Sequence, residues 1–303
     1  MPKAHSPRHG SMQYWPRKRA KGVLSRIRTW TTSKDVKPLG FVGYKVGMCH
    51  CIGSTALTKG MAFPVTLVEC PAIKIFSARL YKKNVLKTEI LCPKPDKELE
   101  RSVVLPNNYS KVLEDGDFDS VRILAYTQPS KTGIGKKKPE VFEVGLGGIK
   151  EDQIKWVKEN FEKEINVRDI FRENSIIDIH AITKGKGYQG VVKRFGVSLK
   201  HHKSEKGVRR VGSRAGGWCA QAHMMYRVPQ PGKMGYHNRT EHNKLIVKID
   251  DKCEKSFHRY GFIKNSYLMI YGSLPGPAKR AIKMTFPIRP NKFDKVKVEK
   301  VIL

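Results

Sequence analysis

A basic, glycine-rich segment from residue 184 to residue 239 holds the residues whose types and spacing most clearly predict chemistry. It carries 13 Lys and Arg, ten glycines and a single acid, Glu205. Ammonium and guanidinium groups bind phosphate oxygens, and glycines let a backbone approach a ligand more closely than side chains permit. The pattern predicts a segment that lies along a phosphate backbone.

RNA binding is predicted to be shared between this segment and the start of the chain. Residues 1–37 carry ten Lys and Arg against one acid, with Tyr14, Trp15 and Trp30 among them. Such aromatic rings can stack on unpaired bases. A disordered basic tail and a solvated loop without a fixed partner are the alternatives for the two segments. The predicted RNA-binding residues are Arg8, His9, Arg17, Lys18, Arg19, Arg26, Arg28, Lys184, Lys186, Lys193, Arg194, Lys200, Lys203, Lys206, Arg209, Arg210, Arg214, Trp218, His223, Arg227, Lys233, His237 and Arg239.

The segment begins with a literal G-x-G-x-x-G, from Gly185 to Gly190, which raises the alternative of a dinucleotide site. Such a site needs a helix next, whose N-terminus holds the pyrophosphate, and an acid about 20 residues later. The next residues, VVKRFGV, are β-branched and basic, and Glu205 lies within KSEKGVRR. We therefore predict a flexible turn that lies on RNA.

The tryptophan, histidine and cysteine residues do not indicate a catalytic or metal site. Trp218 follows two glycines in a charged stretch, which predicts an aromatic residue at a loop tip rather than in the core. The histidines and the six cysteines lack the spacing of metal ligands, and Cys49-His50-Cys51 is too tight for a zinc knuckle. We predict reduced thiols, no metal, no cofactor and no catalytic residue.

The overall charge supports a polyanionic partner. Fifty-nine Lys and Arg against 27 Asp and Glu give a net charge of +32. An excess of this size destabilises a compact state unless a polyanion neutralises it, and nucleic acid is the commonest such partner. An anionic membrane surface is the next, but it requires a basic amphipathic helix, which the glycines disfavour. No apolar run approaches the roughly 20 residues that span a bilayer.

Several apolar runs predict strands that must position these segments. FVGYKVGM, MAFPVTLVEC, IKIFSARLY, VRILAYTQP, SIIDIHAI and LIVKID are rich in β-branched and aromatic residues. One helix is predicted from near Lys150, with Ile154, Val157, Phe161 and Ile165 on one face. KFDKVKVEKVIL alternates as an edge strand does.

The fold class predicted is mainly β with an α+β insertion, built around a barrel from non-contiguous segments. The predicted organisation is a basic N-terminal arm (1–37), a first barrel segment (38–79), an inserted α/β module (80–172), a barrel strand (173–183), the basic central extension (184–240) and barrel completion with a C-terminal strand (241–303).

The chain resembles the large-subunit ribosomal protein L-three family. The resemblance is carried in order along nearly the whole chain by PRHG at 7–10, PRKRA at 16–20, FVGYKVGM at 41–48, TKGKGYQG at 183–190, GGW at 216–218, GYHNRT at 235–240, and GSLPGP at 272–277 followed by KR at 279–280. With Trp218 where the bacterial branch has glutamine, the chain resembles the archaeal type of the family. KSEKG at 203–207 departs from the eukaryotic KTHRG, so the role of that histidine is not carried over.

This resemblance implies a translation-factor-type β-barrel with long basic RNA-binding extensions. It implies a cytoplasmic, non-enzymatic constituent of the large ribosomal subunit that takes part early in assembly. Its partners would be large-subunit ribosomal RNA and neighbouring ribosomal proteins, with no membrane and no small-molecule substrate. The central extension would approach the peptidyl-transferase centre, with Trp218 at its tip. An RNA-modifying enzyme is the rival, but it needs a paired acid and base or a cofactor loop.

Overall fold

The computed structural model describes residues 10–55, 58–105, 118–203, 206–211, 228–251, 253 and 255–302. Within these ranges the chain is mainly β, as predicted. The strands are β1 (Gly40–Ser54), β2 (Met61–Glu69), β3 (Ile73–Lys82), β4 (Val85–Leu91), β5 (Ser120–Thr127), β6 (Val141–Gly145), β7 (Ile176–Ile182), β8 (Gly185–Gln189), β9 (Gly232–Gly235), β10 (Asn238–Asp250), β11 (Ser256–Phe257), β12 (Gly261–Phe262), β13 (Tyr267–Tyr271), β14 (Ala281–Thr285) and β15 (Lys297–Ile302). The α-helices are α1 (Lys150–Asn160), α2 (Val167–Ile170) and α3 (Val191–Phe195), and Lys97–Arg101 and Pro129–Lys131 are 3-10 helices.

The largest sheet joins seven strands in the order β14-β7-β10-β13-β2-β1-β15. Because β14 also pairs antiparallel with β1, with Gly40 opposite Thr285, the pairings of six strands close into a ring. β15 pairs with β1 outside this ring, with His50 opposite Ile302. Its place at the end of the order confirms the predicted edge strand.

Burial along these strands explains why their sequences are nearly continuous apolar runs. The first seven residues of β1 are buried, and so are the last six of β7. Since successive side chains of a strand point to opposite faces, both faces of these stretches are covered. β7 confirms the buried strand predicted from SIIDIHAI.

A second sheet of four strands, in the order β4-β3-β5-β6, is covered in part by α1. The helix begins at Lys150 as predicted, and Ile154 and Val157 are buried. It ends at Asn160, so the prediction that Phe161 and Ile165 continue the same helix is wrong. Both side chains are still buried, and the backbone of Ile165 exchanges hydrogen bonds with Ile73, with N···O distances of 2.9 and 3.0 Å.

Part of the basic N-terminal stretch packs against the core. Ile27 is buried, and Leu24, Trp30 and Val36 pack against the main apolar cluster. A side chain at Gly145 would place its Cβ 2.8 Å from Cγ of Trp30, so the indole ring depends on that glycine. Residues 1–37 have no apolar periodicity of their own, but here the sheet provides the apolar surface.

One fully buried carboxylate joins the ring of strands to residues on both sides of β12. Glu69 accepts hydrogen bonds from the Tyr260 hydroxyl, from the backbone N–H groups of Lys264 and Asn265 at 2.9 and 3.0 Å, and from Nδ2 of Asn265 at 2.8 Å. A buried carboxylate is tolerated when donors satisfy its oxygens in this way.

Contacts between Cα atoms divide the chain into two compact units. We call Met1–Lys21 with Thr183–Asn238 the basic unit, and Gly22–Ile182 with Arg239–Leu303 the sheet unit. The six segment boundaries predicted from the sequence stay predictions. In the part of the chain that the structure describes, no helix is both long and apolar enough to cross a membrane, and no three potential ligands from His, Cys, Asp and Glu converge as a metal site would require.

Candidate nucleic-acid interface

The framework of the basic unit is a two-stranded antiparallel ladder of β8 and β9. Gly185 lies opposite Gly235, and Tyr188 lies opposite Lys233. The prediction of a flexible turn from Lys184 to Gly190 is therefore wrong, because these glycines lie in and beside a paired strand. Gly187 of β8 and Gly235 of β9 adopt conformations that disfavour other residues, with φ of +68° and +73°.

The two strands approach very closely at one end of the ladder. A Cβ at Gly235 would lie 2.0 Å from the carbonyl oxygen of Lys184, which excludes any side chain there. The next residue, Tyr236, also has a positive φ of 53°, and its N–H donates to that same carbonyl at 3.1 Å. Gly235 thus serves a close backbone approach within the protein.

A helix does follow the G-x-G-x-x-G, contrary to the expectation from VVKRFGV. α3 has five residues, with Val191 and Phe195 buried, and ends at Gly196 with φ of +70°. A dinucleotide site places its glycines in the turn between strand and helix. Here Gly185 and Gly187 lie inside β8, so that arrangement is not formed.

Arg194 holds the basic unit together. Its guanidinium group donates to the carbonyl oxygens of Gln230 at 2.8 Å, Arg17 at 3.0 Å and Lys233 at 3.2 Å. One side chain of α3 therefore connects the N-terminal arm with the stretch leading into and through β9. Desolvation by burial lowers the pKa of Arg194 below its usual value.

The arm is attached to α3 by a second arginine and by aromatic rings. Nη1 of Arg17 donates to the carbonyl oxygen of Arg194 at 2.9 Å, and its guanidinium carbon lies 4.2 Å from the ring centroid of Phe195. The Trp15 ring lies 6.0 Å from that of Phe195. These contacts fix the arm through carbonyl oxygens and ring faces rather than through acids.

Backbone hydrogen bonds extend the attachment towards the end of β9. The N–H of Ala20 donates to the carbonyl oxygen of Tyr236 at 2.8 Å. Nδ1 of His237 lies 2.8 Å from the carbonyl oxygen of Lys18, and because that oxygen can only accept, Nδ1 carries the proton. The structure thus brings the predicted residues Lys18 and His237 together.

Most of the predicted cations that the structure describes are exposed, while a few are half-buried. The exposed residues are Lys18, Arg19, Lys184, Lys186, Lys193, Lys203, Lys206, Arg209, Arg210 and Lys233 in the basic unit, and Arg26 and Arg28 in the sheet unit. Arg17, Arg194, Lys200, His237 and Arg239 are half-buried. Arg8, His9, Arg214, Trp218, His223 and Arg227 lie outside the described residues. RNA contact by any of them stays a prediction.

Two aromatic residues that the sequence-based set omits lie among these cations. Tyr188 is 71% exposed, and it lines a cavity of about 270 Å³ together with Tyr236, Arg19 and Lys233. The guanidinium carbon of Arg19 lies 5.3 Å from the ring centroid of Tyr236. A tyrosine flanked by glycines and lysines, in a segment without an apolar face, was the available signal for an exposed ring.

Known proteins resemble this chain along nearly its whole length. The family profile described as Ribosomal protein L3 matches residues 1–103 and 109–302. Among curated proteins, Large ribosomal subunit protein uL3 of Archaeoglobus fulgidus is 40% identical over 98% of this chain and 96% of its own length. Proteins of the same name from Nanoarchaeum equitans and Methanobrevibacter smithii are 40% and 39% identical, each over 96% of this chain and 94% of its own length. Since the profile and these archaeal relatives both cover almost all of the described structure, this chain belongs to the ribosomal protein L3 family.

Proposed function

We propose that this chain is a structural, non-enzymatic constituent of the large ribosomal subunit, in the cytoplasm, and that it binds ribosomal RNA mainly through its basic unit. Membership of the family supports a place in the large ribosomal subunit, and the distribution of charge supports RNA as the binding partner. The basic unit has 18 Lys and Arg against one acid, Glu205. This excess is the single observation that carries the RNA proposal, because no comparable excess of acid within the unit offsets it.

The geometry of the basic unit fits this role. Arg17 and Arg194 are tied to carbonyl oxygens, which hold the backbone in place without removing positive charge. Lys184, Lys186 and Lys193 extend from this framework into solvent. A fixed backbone with free ammonium groups is preorganised for contact with phosphates, which lowers the entropy cost of binding.

The sheet unit would act as the anchor from which the RNA-binding segments extend. We propose that the closed ring of β14, β7, β10, β13, β2 and β1 is the translation-factor-type barrel implied by the resemblance. The basic unit would then correspond to the two extensions, since residue 183 directly follows the ring strand β7. Loops and extensions on a rigid scaffold commonly carry function.

The finer proposals rest on the resemblance. They are a role in early subunit assembly, contact with neighbouring ribosomal proteins, and an approach of the central extension to the peptidyl-transferase centre. Trp218, the proposed tip of that extension, lies outside the described residues. A Trp218→Ala variant is expected to enter ribosomes normally and to alter tRNA handling in a translation assay; failure to enter ribosomes would assign Trp218 a structural role.

Localisation in ribosomal subunits is the direct test of the proposed function. A tagged full-length chain should sediment with the large subunit and remain there after a high-salt wash that removes loosely bound factors. A variant with Lys184, Lys186 and Lys193 all changed to Gln keeps the contacts of Arg194 and serves as the matched test of charge. Weaker retention of this variant supports RNA binding through the basic unit. Sedimentation of the unaltered chain away from the large subunit would overturn the proposal.

A further inference from the structure

The cavity beside the β8–β9 ladder has walls of a kind that phosphate contacts do not require. Tyr188 and Tyr236 both line it, and Gly187 leaves its floor without a side chain. A Cβ placed on Gly187 would meet no atom within 4 Å. The space above the ladder is therefore open, and its shape comes from backbone and ring surfaces.

The exposure of Tyr188 is unusual for its chemistry. A tyrosine ring carries a large apolar surface, and 71% of this residue is exposed to solvent. By contrast, Val191 and Phe195 of the neighbouring helix α3 are buried. The ring of Tyr188 is thus available to a partner.

The charges around the cavity indicate which chemical class of ligand it binds. Arg19 and Lys233 line it, and Arg19 covers the ring of Tyr236 at 5.3 Å. Glu205 is the one acid in the sequence of the basic unit. A ligand with both a flat apolar face and negative charge matches this setting, and an unpaired nucleotide has both. A cavity of about 270 Å³ is at the lower end of ligand pockets, which fits one base rather than a stacked pair.

We propose that this cavity binds one unpaired base of single-stranded RNA, stacked on the ring of Tyr188, with the adjoining phosphates held by Arg19 and Lys233. The proposal rests on the RNA-binding function proposed above and specifies the chemical class recognised at this place. Two contributions to binding are thus distinct: the cations hold the RNA backbone in any sequence, while Tyr188 recognises an unstacked base.

The test uses the full-length chain and a ten-nucleotide single-stranded RNA with 2-aminopurine at its centre. Stacking of 2-aminopurine on Tyr188 quenches its fluorescence. Tyr188→Ala should weaken binding of this RNA about 5- to 100-fold and relieve the quenching, in line with the loss of one base–aromatic stack. Tyr188→Phe keeps the ring face and should bind as the unaltered chain does. The slope of log affinity against log salt should not change, because no phosphate contact is removed.

The controls distinguish base binding in the cavity from the general RNA binding of the chain. Phe262→Ala removes a 58% exposed ring of the sheet unit and should leave binding unchanged. A fully paired RNA duplex of the same length should bind Tyr188→Ala and the unaltered chain equally. Equal weakening on duplex and single strand, weakening by Tyr188→Phe, or no effect of Tyr188→Ala would each overturn the base-binding proposal and leave RNA binding intact. Failure of the unaltered chain to bind either RNA would overturn both.

Discussion

The two units of the chain hold their basic side chains in different ways. In the sheet unit, several cations meet carboxylates: Nζ of Lys74 lies 2.9 Å from Asp96, and Nη1 of Arg122 lies 3.4 Å from Glu143. Lys45 is an exception, since its Nζ donates to the carbonyl oxygens of Leu274 and Gly276. In the basic unit, the guanidinium groups of Arg17 and Arg194 instead meet carbonyl oxygens and ring faces. A carboxylate neutralises the cation it binds, whereas a carbonyl oxygen fixes the position of the cationic group and leaves its charge.

This difference affects how much positive charge each unit keeps after it has folded. The sheet unit pairs some of its cations with its own acids, but its 41 Lys and Arg against 26 Asp and Glu leave it positively charged as well. A unit that orients its cations through carbonyl oxygens remains positively charged after it has folded, and its self-repulsion falls when phosphates approach. Carboxylates therefore neutralise part of the positive charge of the sheet unit, whereas the basic unit has one acid for 18 Lys and Arg.

We expect the largest effect from removing Glu69, which tests how far the stability of the sheet unit depends on its buried acids. Glu69→Ala leaves the Tyr260 hydroxyl, two backbone N–H groups and the Asn265 amide without their buried acceptor. We expect the free energy of unfolding to fall by roughly 3 to 5 kcal/mol, as for other buried charges whose network is broken. Urea unfolding followed by circular dichroism measures it.

Glu159→Ala is the matched control for Glu69→Ala. Glu159 is exposed on α1, and substitution there should change the free energy of unfolding by less than about 0.5 kcal/mol. Equal effects of the two substitutions would contradict the distinction between internal acids and surface acids.

The elements that the sequence predicted well are those with a strong local signal. The apolar runs of β1 and β7 are recognisable because nearly every residue is buried on both faces. The extent of α1 was less predictable, because Ile165 keeps the helical spacing but has its backbone bound to Ile73. A contact between residues 92 positions apart in the chain leaves no trace in local periodicity.

Lys283 is a cation of the sheet unit that is deeply buried. It is 6% exposed on β14, and its Nζ lies 5.5 Å from the ring centroid of Phe142. Burial lowers the pKa of its ammonium group to about 8, and attraction to Glu143 offsets only part of this effect. The folded state therefore releases this proton at a lower pH than the unfolded chain, whose lysine pKa is about 10.4.

The sign of the pH dependence follows from proton binding. From about pH 8 to about pH 10.4 the unfolded state binds more protons at this position, so this lysine makes stability rise with pH across that window. Lys283→Met should raise the free energy of unfolding near neutral pH by at most roughly 3 kcal/mol, with the gain shrinking as pH approaches about 10. Urea unfolding of both proteins along this pH range measures the gap. A gain that is the same at every pH would show that packing, not charge, is responsible.

The candidate interface illustrates what sequence composition can and cannot specify. The excess of cations from 184 to 239 was visible from composition alone. The dinucleotide interpretation was set aside on the residues that follow the motif, although a short helix does form there. The pairing of β8 with β9 was not visible, because its two strands are separated by 42 residues and consist largely of glycine and lysine. Tyr188 was missed for the same reason: its position opposite Lys233 depends on that pairing.

The smallest expected effect separates the two uses of positive charge within α3 itself. Arg194→Lys keeps the charge but loses the planar group that reaches three carbonyl oxygens, so the amides of β8 and β9 should exchange about tenfold faster, equivalent to one charged hydrogen bond of roughly 1.5 kcal/mol. Lys193→Ala, next to it and exposed, should leave exchange unchanged. In RNA titrations it should instead reduce the salt slope by roughly 0.7 to 0.9, the value of one phosphate contact. Two results would contradict this division: faster amide exchange in Lys193→Ala, or a changed salt slope without faster exchange in Arg194→Lys. Either would show that holding the backbone and attracting phosphate are not assigned to separate residues. The basic unit would then use its cations no differently from the sheet unit.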